Sequence, residues 1–219
     1  MTVDRPRAVR PGEDLDLAAL GEYLRALDPA LDGAIELGQF RAGASNLTYL
    51  LSVGGRELVL RRPPPGRKAK SAHDMGREVQ VLRALRSHYP YVPEVIAFCQ
   101  DPAVLGSDFY LMERIRGIIL RKNLPEGLQL TREQVAQLCR TVIDTHIELH
   151  EVDVAAAGLA DLGRPKGYVR RQVEGWSERF RAARTPNAPS YEHVMAWLAE
   201  HQPAEVGACL IHGDFRFDN

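Results

Sequence analysis

Residues 209–219 read "CLIHGDFRFDN". An apolar run ending at Ile211 leads into His212, Gly213 and Asp214, and Asn219 follows five residues after that Asp. On a loop after a strand, such a pair can divide one task. The carboxylate accepts the proton of an attacking hydroxyl, and the amide oxygen ligates Mg²⁺ carried by a nucleotide. The spacing is that of H-R-D-x-x-x-x-N, with Gly in place of Arg. D-x-x-x-x-N also arises by chance in loops, so the rest of the chain has to decide.

The bulk composition narrows the choice. The chain has 219 residues, 45% of them hydrophobic and 26% charged, enough apolar material for a real core. A net charge of −1 argues against a general attraction to nucleic acid or to an anionic membrane. Cys99, Cys139 and Cys209 are odd in number and form no CxxC pair, so a disulfide framework is not expected. The opening "MTVDRPRAVRPGEDLDL" has early acids and no apolar centre, unlike a signal peptide. No apolar run approaches the roughly 18 residues of a membrane helix. The expectation is a cytoplasmic protein with neither nucleic-acid nor membrane partners.

Working outward, residues 1–13 read as a loose Pro/Arg arm. Leu17, Leu20, Leu24 and Leu27 then keep helical spacing up to Pro29. In "NLTYLLSV" the alternation puts Leu47, Tyr49, Leu51 and Val53 on one face, and Gly54-Gly55 signals a hairpin into "RELVLRR". "PPPG" at 63–66 ends that strand. Helical spacing returns over 72–87, followed by strand-like runs at 94–100 and 108–115. After Gly117 the pattern is helical. Thr131 and Gln134 form a capping box, and Val169, Val173, Trp176 and Phe180 mark one later helix, Tyr191, Val194 and Leu198 another. "ACLI" at 208–211 reads as a short buried strand. The order predicts an α+β fold: an N-terminal arm and helix (1–34), a β-rich lobe with hinge (35–117) and a helical lobe (118–219).

Phosphoryl transfer needs backbone amides around phosphates, a cation on them and an acid that holds the cation. "FRAGASNLTYLL" places Gly43, Ser45 and Asn46 between two strands, where small residues let amides approach phosphate oxygens; a plain hairpin turn has the same look. The return strand ends in Arg61 and Arg62, neighbours on opposite faces, and either can supply the cation. Glu78 on the next helix can pair with that cation, though each of these charges alone reads as solvated surface. Met112–Arg114 stand where backbone groups of a hinge would meet an adenine. Turn, strand cation, helix Glu and HxDxxxxN fall in the order a kinase requires.

Five segments carry a wider likeness: "GASNLTYLLSVGGRELVLRRPPPG", "SAHDMGREVQVLRAL", "DFYLMERIRG", "GRPKGYVRRQVEGWSERF" and "LIHGDFRFDN". Through them the chain resembles the aminoglycoside phosphotransferase and choline kinase group of protein-kinase-like folds. More narrowly, it resembles the phosphotransferase-like domain of acyl-CoA dehydrogenase family members 10 and 11. The resemblance implies ATP and Mg²⁺ as cofactors and a small-molecule hydroxyl as acceptor, a hydroxyacyl-CoA-type metabolite in the narrower likeness. It implies Asp214 as the catalytic Asp, Asn219 as a Mg²⁺ ligand and His212 as a brace of the loop. Gly43, Ser45 and Asn46 would cover the phosphates, Arg61 would pair them in place of the family Lys, and Glu78 would hold Arg61. Arg for Lys is a departure, since a guanidinium is bulkier and bidentate. Met112 and Arg114 would contact adenine through their backbones.

The resembled family continues past this loop to a second acid that holds Mg²⁺, so the chain is expected to be an N-terminal fragment, inactive alone and aggregation-prone. The alternative is a nucleotide-binding pseudokinase without catalysis. A metal hydrolase on His146, His150 and Asp214 is the unrelated reading, weakened by the lack of an HExxH acid. "RKAK" at 67–70 reads as a solvated loop or as a contact for an anionic substrate such as a CoA phosphate.

Overall fold

Leu47–Val53 forms a strand whose predicted inner face is fully inside: Leu47, Tyr49, Leu51 and Val53 are all buried. The computed structural model describes residues 5–40, 46–64 and 74–218. Five strands form one sheet: β1 (Glu36–Phe40), β2 (Leu47–Val53), β3 (Arg56–Arg62), β4 (Val95–Cys99) and β5 (Phe109–Glu113). The sheet order is β1-β2-β3-β5-β4, and all four neighbouring pairs are antiparallel. Gly54 and Gly55 turn the β2–β3 hairpin at φ 57° and 74°, the left-handed pair a two-residue loop needs.

The register sorts the sheet into two faces. Leu47, Tyr49, Leu51, Leu58, Leu60, Phe109 and Leu111 belong to one core cluster, together with Leu20 and Leu24 of α1 (Leu17–Leu27). The Asp16 carboxylate caps α1 by accepting from the Ala18 and Ala19 amides, both at 3.0 Å. The opposite face carries α2 (Met75–Leu85), whose Met75 and Val79 bury against Tyr110 with Phe98 and Met112 alongside. Asp74 caps α2, accepting from Arg77 N at 2.9 Å, and Glu78 lies in its first turn, where the helix dipole favours a negative charge.

Two local expectations are corrected here. The arm is not loose over its described part. Arg7 exchanges both backbone hydrogen bonds with Gln39, at 2.9 and 2.8 Å, and Arg10 N donates to Gln39 Oε1 at 3.0 Å. The outer edge of β1 offers unpaired backbone groups, and the arm satisfies them. The buried Tyr49 phenol adds a second tie by donating to the Glu13 carbonyl at 2.7 Å. The second correction concerns 208–211, which is no strand; Cys209 and Ile211 are exposed. A strand exists through the ladder of its neighbour, and no described segment pairs with this one. A one-turn helix, α3 (Pro102–Leu105), also stands between β4 and β5 where no helix was expected.

Residues Met1–Leu149 with His212–Asn219 gather into one compact unit, and His150–Ile211 into a second. The first includes most of α4 (Arg132–Glu151). Its capping box is reciprocal as predicted: Gln134 N donates to Thr131 Oγ1 at 3.2 Å, and Thr131 N to Gln134 Oε1 at 2.8 Å. The Tyr89 phenol donates to the Thr145 carbonyl at 3.1 Å and ties α4 into this unit. The second unit contains α5 (Tyr168–Ala183) and α6 (Glu192–Glu200), joined by an Arg181–Glu192 ion pair at 2.7 Å. Among the described residues, no helix is long and apolar enough to cross a membrane.

Candidate active site

Four side chains line up across one face of the sheet because their register positions are opposite one another. Thr48 on β2 pairs with Arg61 on β3, Arg61 with Tyr110 on β5, and Tyr110 with Phe98 on β4. The first turn of α2 brings Glu78 to this row. The result is a carboxylate met by several donors. Arg61 Nε reaches Glu78 Oε2 at 2.9 Å and Nη2 reaches Oε1 at 3.5 Å. Asn46 Nδ2 donates to Oε1 at 2.8 Å, and the Tyr110 hydroxyl to Oε2 at 2.9 Å. Arg61 Nη1 also donates to Thr48 Oγ1 at 3.4 Å.

The pair is partly sheltered, with both side chains 31% exposed. Burial alone would lower the Arg61 pKa; the hydrogen-bonded Glu78 carboxylate overrides it and leaves the pKa above the ordinary arginine value. The guanidinium is therefore a fixed positive charge at any working pH. Arg61, Arg77, Asp74 and Glu78 line a cleft of about 510 Å³ whose other walls are Val81, Leu82, Pro93, Tyr110 and Met112. An apolar wall beside a held cation suits a planar base joined to phosphate groups.

Arg62 takes the other face. It pairs with Leu47 in the register, and its Nε is buried without a hydrogen-bond partner among the described residues. Burial pushes the Tyr49 phenol up to about 12, against the pull of the nearby Arg62 charge. Of the two arginines, Arg61 is the one that meets Glu78. At the end of β5, the Arg114 side chain is nearly buried and pairs with Glu57 at 2.6 Å, as does Arg116 at the same distance. Met112 lines the cleft.

Asp214 belongs to a second cluster. Its backbone N–H donates to His212 Nδ1 at 3.3 Å, so His212 does brace the loop locally. Gly213 lies between them at φ 82°, a conformation that an Arg would adopt only with strain. The H-G-D sequence thus follows from the backbone. Phe215 stacks on His146 of α4 at 4.1 Å and 11°, and meets His212 edge-on at 5.6 Å. Arg216 pairs with Asp218 at 2.5 Å and holds that carboxyl below the usual aspartate value. Asp214 is exposed and is not among the residues lining the Arg61 cleft.

The structure therefore brings Asn46, Arg61 and Glu78 together, sets Met112 in the same cleft and holds Asp214 on its own loop. Gly43, Ser45, Asn219 and the "RKAK" stretch lie outside the described residues. Tyr110 and Thr48 were not foreseen, although strict alternation in "DFYLME" puts Tyr110 on the same face as Met112. Among the described residues, no three His, Cys, Asp or Glu side chains group to hold a metal, and the His146 ring is engaged by Phe215.

Comparison with known proteins identifies the family. The model of the phosphotransferase enzyme family matches residues 36–219. Acyl-CoA dehydrogenase family member 10 of Mus musculus is 37% identical over 218 residues, covering 99% of this chain and 20% of its own length. Family member 11 of Gallus gallus is 36% identical over 217 residues, 96% of this chain and 27% of its own. The chain thus spans about a fifth to a quarter of the curated relatives it matches. A crystal structure from Ralstonia eutropha, provisionally described as an aminoglycoside phosphotransferase, superposes with a TM-score of 0.79 at 30% identity, over 94% of this chain and 60% of that one. The GDP and kanamycin complex of APH(2")-IIia shares the fold at a TM-score of 0.59 and 18% identity, over 81% of this chain and 58% of its own. The chain belongs to the phosphotransferase enzyme family, and its α+β fold is that of kinase-like phosphotransferases.

Proposed function

We propose that this family member transfers the terminal phosphoryl group of ATP, with Mg²⁺, to a hydroxyl of a small molecule. The observation that carries the reading is the Arg61–Glu78 pair, set across β3 and α2 at the edge of a cleft with an apolar wall. A cation held by its own acid stays in place and charged before any phosphate arrives. The neighbour with GDP bound supports a nucleotide as the donor.

In this reading Arg61 receives phosphate oxygens and Glu78 orients Arg61. Asn46 covers the phosphates, and Gly43 and Ser45, just before it in the sequence, would share that role. Backbone groups at Met112 and Arg114 bind the base. Asp214 orients the acceptor hydroxyl and takes its proton as the new bond forms. Asn219 would hold Mg²⁺ through its amide oxygen, and the ion, when bound, would supply neutralisation of charge on the transferring group. The small β-rich lobe over 35–117 would hold the nucleotide, and 118–219 would carry the loop.

For the acceptor we propose a hydroxyacyl-CoA-type metabolite. The support is that the matched relatives are named for acyl-CoA chemistry, and this chain covers one region of them. The test is to incubate the purified protein with Mg-ATP and a panel of hydroxyacyl-CoA thioesters, choline and kanamycin, and to follow new phosphate esters by ³¹P NMR. Phosphorylation of a hydroxyacyl-CoA supports the whole proposal. Ester formation only on another acceptor would refute the substrate class, and nucleotide binding without any ester would favour either a pseudokinase or a chain that is inactive alone.

A further inference from the structure

Tyr110 is 2% exposed, and an apolar side chain would fill its place at lower cost. Burying a hydroxyl is unfavourable unless it finds a partner. Its partner is Glu78 Oε2, at 2.9 Å, the same oxygen that accepts from Arg61 Nε. The other oxygen accepts from Asn46 and from Arg61 Nη2. Donors from the start of β2, from β3 and from β5 thus converge on one carboxylate from α2.

That convergence has a geometric consequence. A glutamate with a single partner can swing about its side-chain bonds. Held from β3, from β5 and from the residue that precedes β2, the Glu78 carboxylate is confined to one orientation. The Arg61 fork must match it, because Nε and Nη2 both address it, and Thr48 receives Nη1 on the other side. Among the described residues, Glu78 and Thr48 are the acceptors of Arg61, and its other guanidinium N–H groups can serve a ligand in the cleft that Arg61 lines. Burial, and then the Glu78 charge, push the phenol pKa far above its ordinary value, so the hydroxyl remains a donor throughout the working range.

We propose that Tyr110 is a positioning residue for phosphate recognition, acting through Glu78 to fix the Arg61 guanidinium in the orientation that receives nucleotide phosphates. The assignment rests on the reading of the Arg61 cleft as a nucleotide site. Tyr110→Phe keeps the buried ring and removes only the hydroxyl, so fold and apolar wall should survive. The effect should appear on the phosphates and not on the base.

The experiment is calorimetric titration of wild type and Tyr110→Phe with Mg-ATP and, separately, with adenosine. Thermal melting of both proteins runs alongside. Wild type should bind both ligands. Tyr110→Phe should bind Mg-ATP about tenfold more weakly, the size expected for a hydrogen bond to a charged group, and adenosine unchanged. In an Arg61→Ala background the same substitution should have no further effect on Mg-ATP, since its route would already be cut. If Tyr110→Phe does not fold, Tyr110→Leu, which also keeps an apolar side chain and removes the hydroxyl, should give the same phosphate-selective loss. Equal weakening of ATP and adenosine, or unchanged ATP affinity, would overturn the assignment while leaving the nucleotide site standing. Failure of wild type to bind either ligand would instead overturn the nucleotide reading, and this assignment with it.

Discussion

The Glu78 cluster and the Asp214 loop are organised in different ways. Glu78 is held by Arg61 of β3 and Tyr110 of β5, both fixed by strand ladders, and by Asn46, the residue that precedes β2. Asp214 lies on an exposed loop whose visible ties are short in sequence: His212 to Asp214 N, and Arg216 to Asp218. Among the described residues, the Phe215 stack on His146 and the Arg121 charge acting on Asp218 reach distant parts of the chain. The difference shows where preorganisation comes from. A side chain is fixed when its partners belong to elements that are fixed for other reasons. The proposed phosphate-holding half draws this support from the sheet, whereas the described hydrogen bonds and ion pair of the proposed proton-accepting half join residues close in sequence.

The largest expected effect separates chemistry from stability. Asp214→Asn should lower phosphoryl transfer by roughly 10²–10⁴, the range for a lost general base, while chemical denaturation shows a change within about 0.5 kcal/mol. A large stability loss would mean that the loop is structurally coupled after all. Glu78→Ala should do the reverse in the folding measurement. It leaves Arg61, Tyr110 and Asn46 without their shared acceptor, and urea titration should show a loss of about 2 kcal/mol, reduced from the fully buried case because the pair is partly exposed. A neutral result would show that the cluster contributes no rigidity.

How much of this was legible in sequence follows the same division. Alternation in Leu47–Val53, the Gly54-Gly55 turn and the Thr131–Gln134 capping box are local rules, and each appears as read. That a strand-end arginine could pair with Glu78 was legible from the order of elements; that it is Arg61 and not Arg62 follows only from the register across β2, β3 and β5. Tyr110 escaped because its role depends on register across β3 and β5, which no local pattern states. The docked arm escaped for a related reason. Arg7 pairs with Gln39 because β1 has a vacant edge, a fact about the sheet and not about the arm. The segment 208–211 was misread in the opposite direction: its apolar run has strand character, but propensity without a neighbouring ladder leaves it irregular and exposed.

Smaller effects sharpen the contrast. Gly213→Ala should cost about 1 kcal/mol, since φ 82° is unfavourable for any Cβ although space around it is open. Its activity loss should exceed its stability loss, because the strain is placed next to Asp214; kinetics and melting on the same sample decide this. The smallest effect concerns Glu57. Burial alone would raise its carboxyl pKa, but Arg114 and Arg116 hold it below the ordinary 4.5. A carboxyl with a lowered folded pKa contributes stability that is complete above its unfolded value and is lost as the pH falls through the folded one. Glu57→Gln should therefore be less stable than wild type at neutral pH, with the gap closing below about pH 4.5. A gap that stays constant down to pH 3 would count against the ion pairs.

The central claim is that Arg61, held by Glu78, is a ready-made phosphate site. Titration of Mg-ATP into wild type and Arg61→Ala tests it most directly. The account predicts saturable binding to wild type and at least about tenfold weaker binding to the variant, with both proteins folded. Equal affinity of the two proteins would contradict it, because the cleft would then hold the nucleotide without the cation around which the site is built.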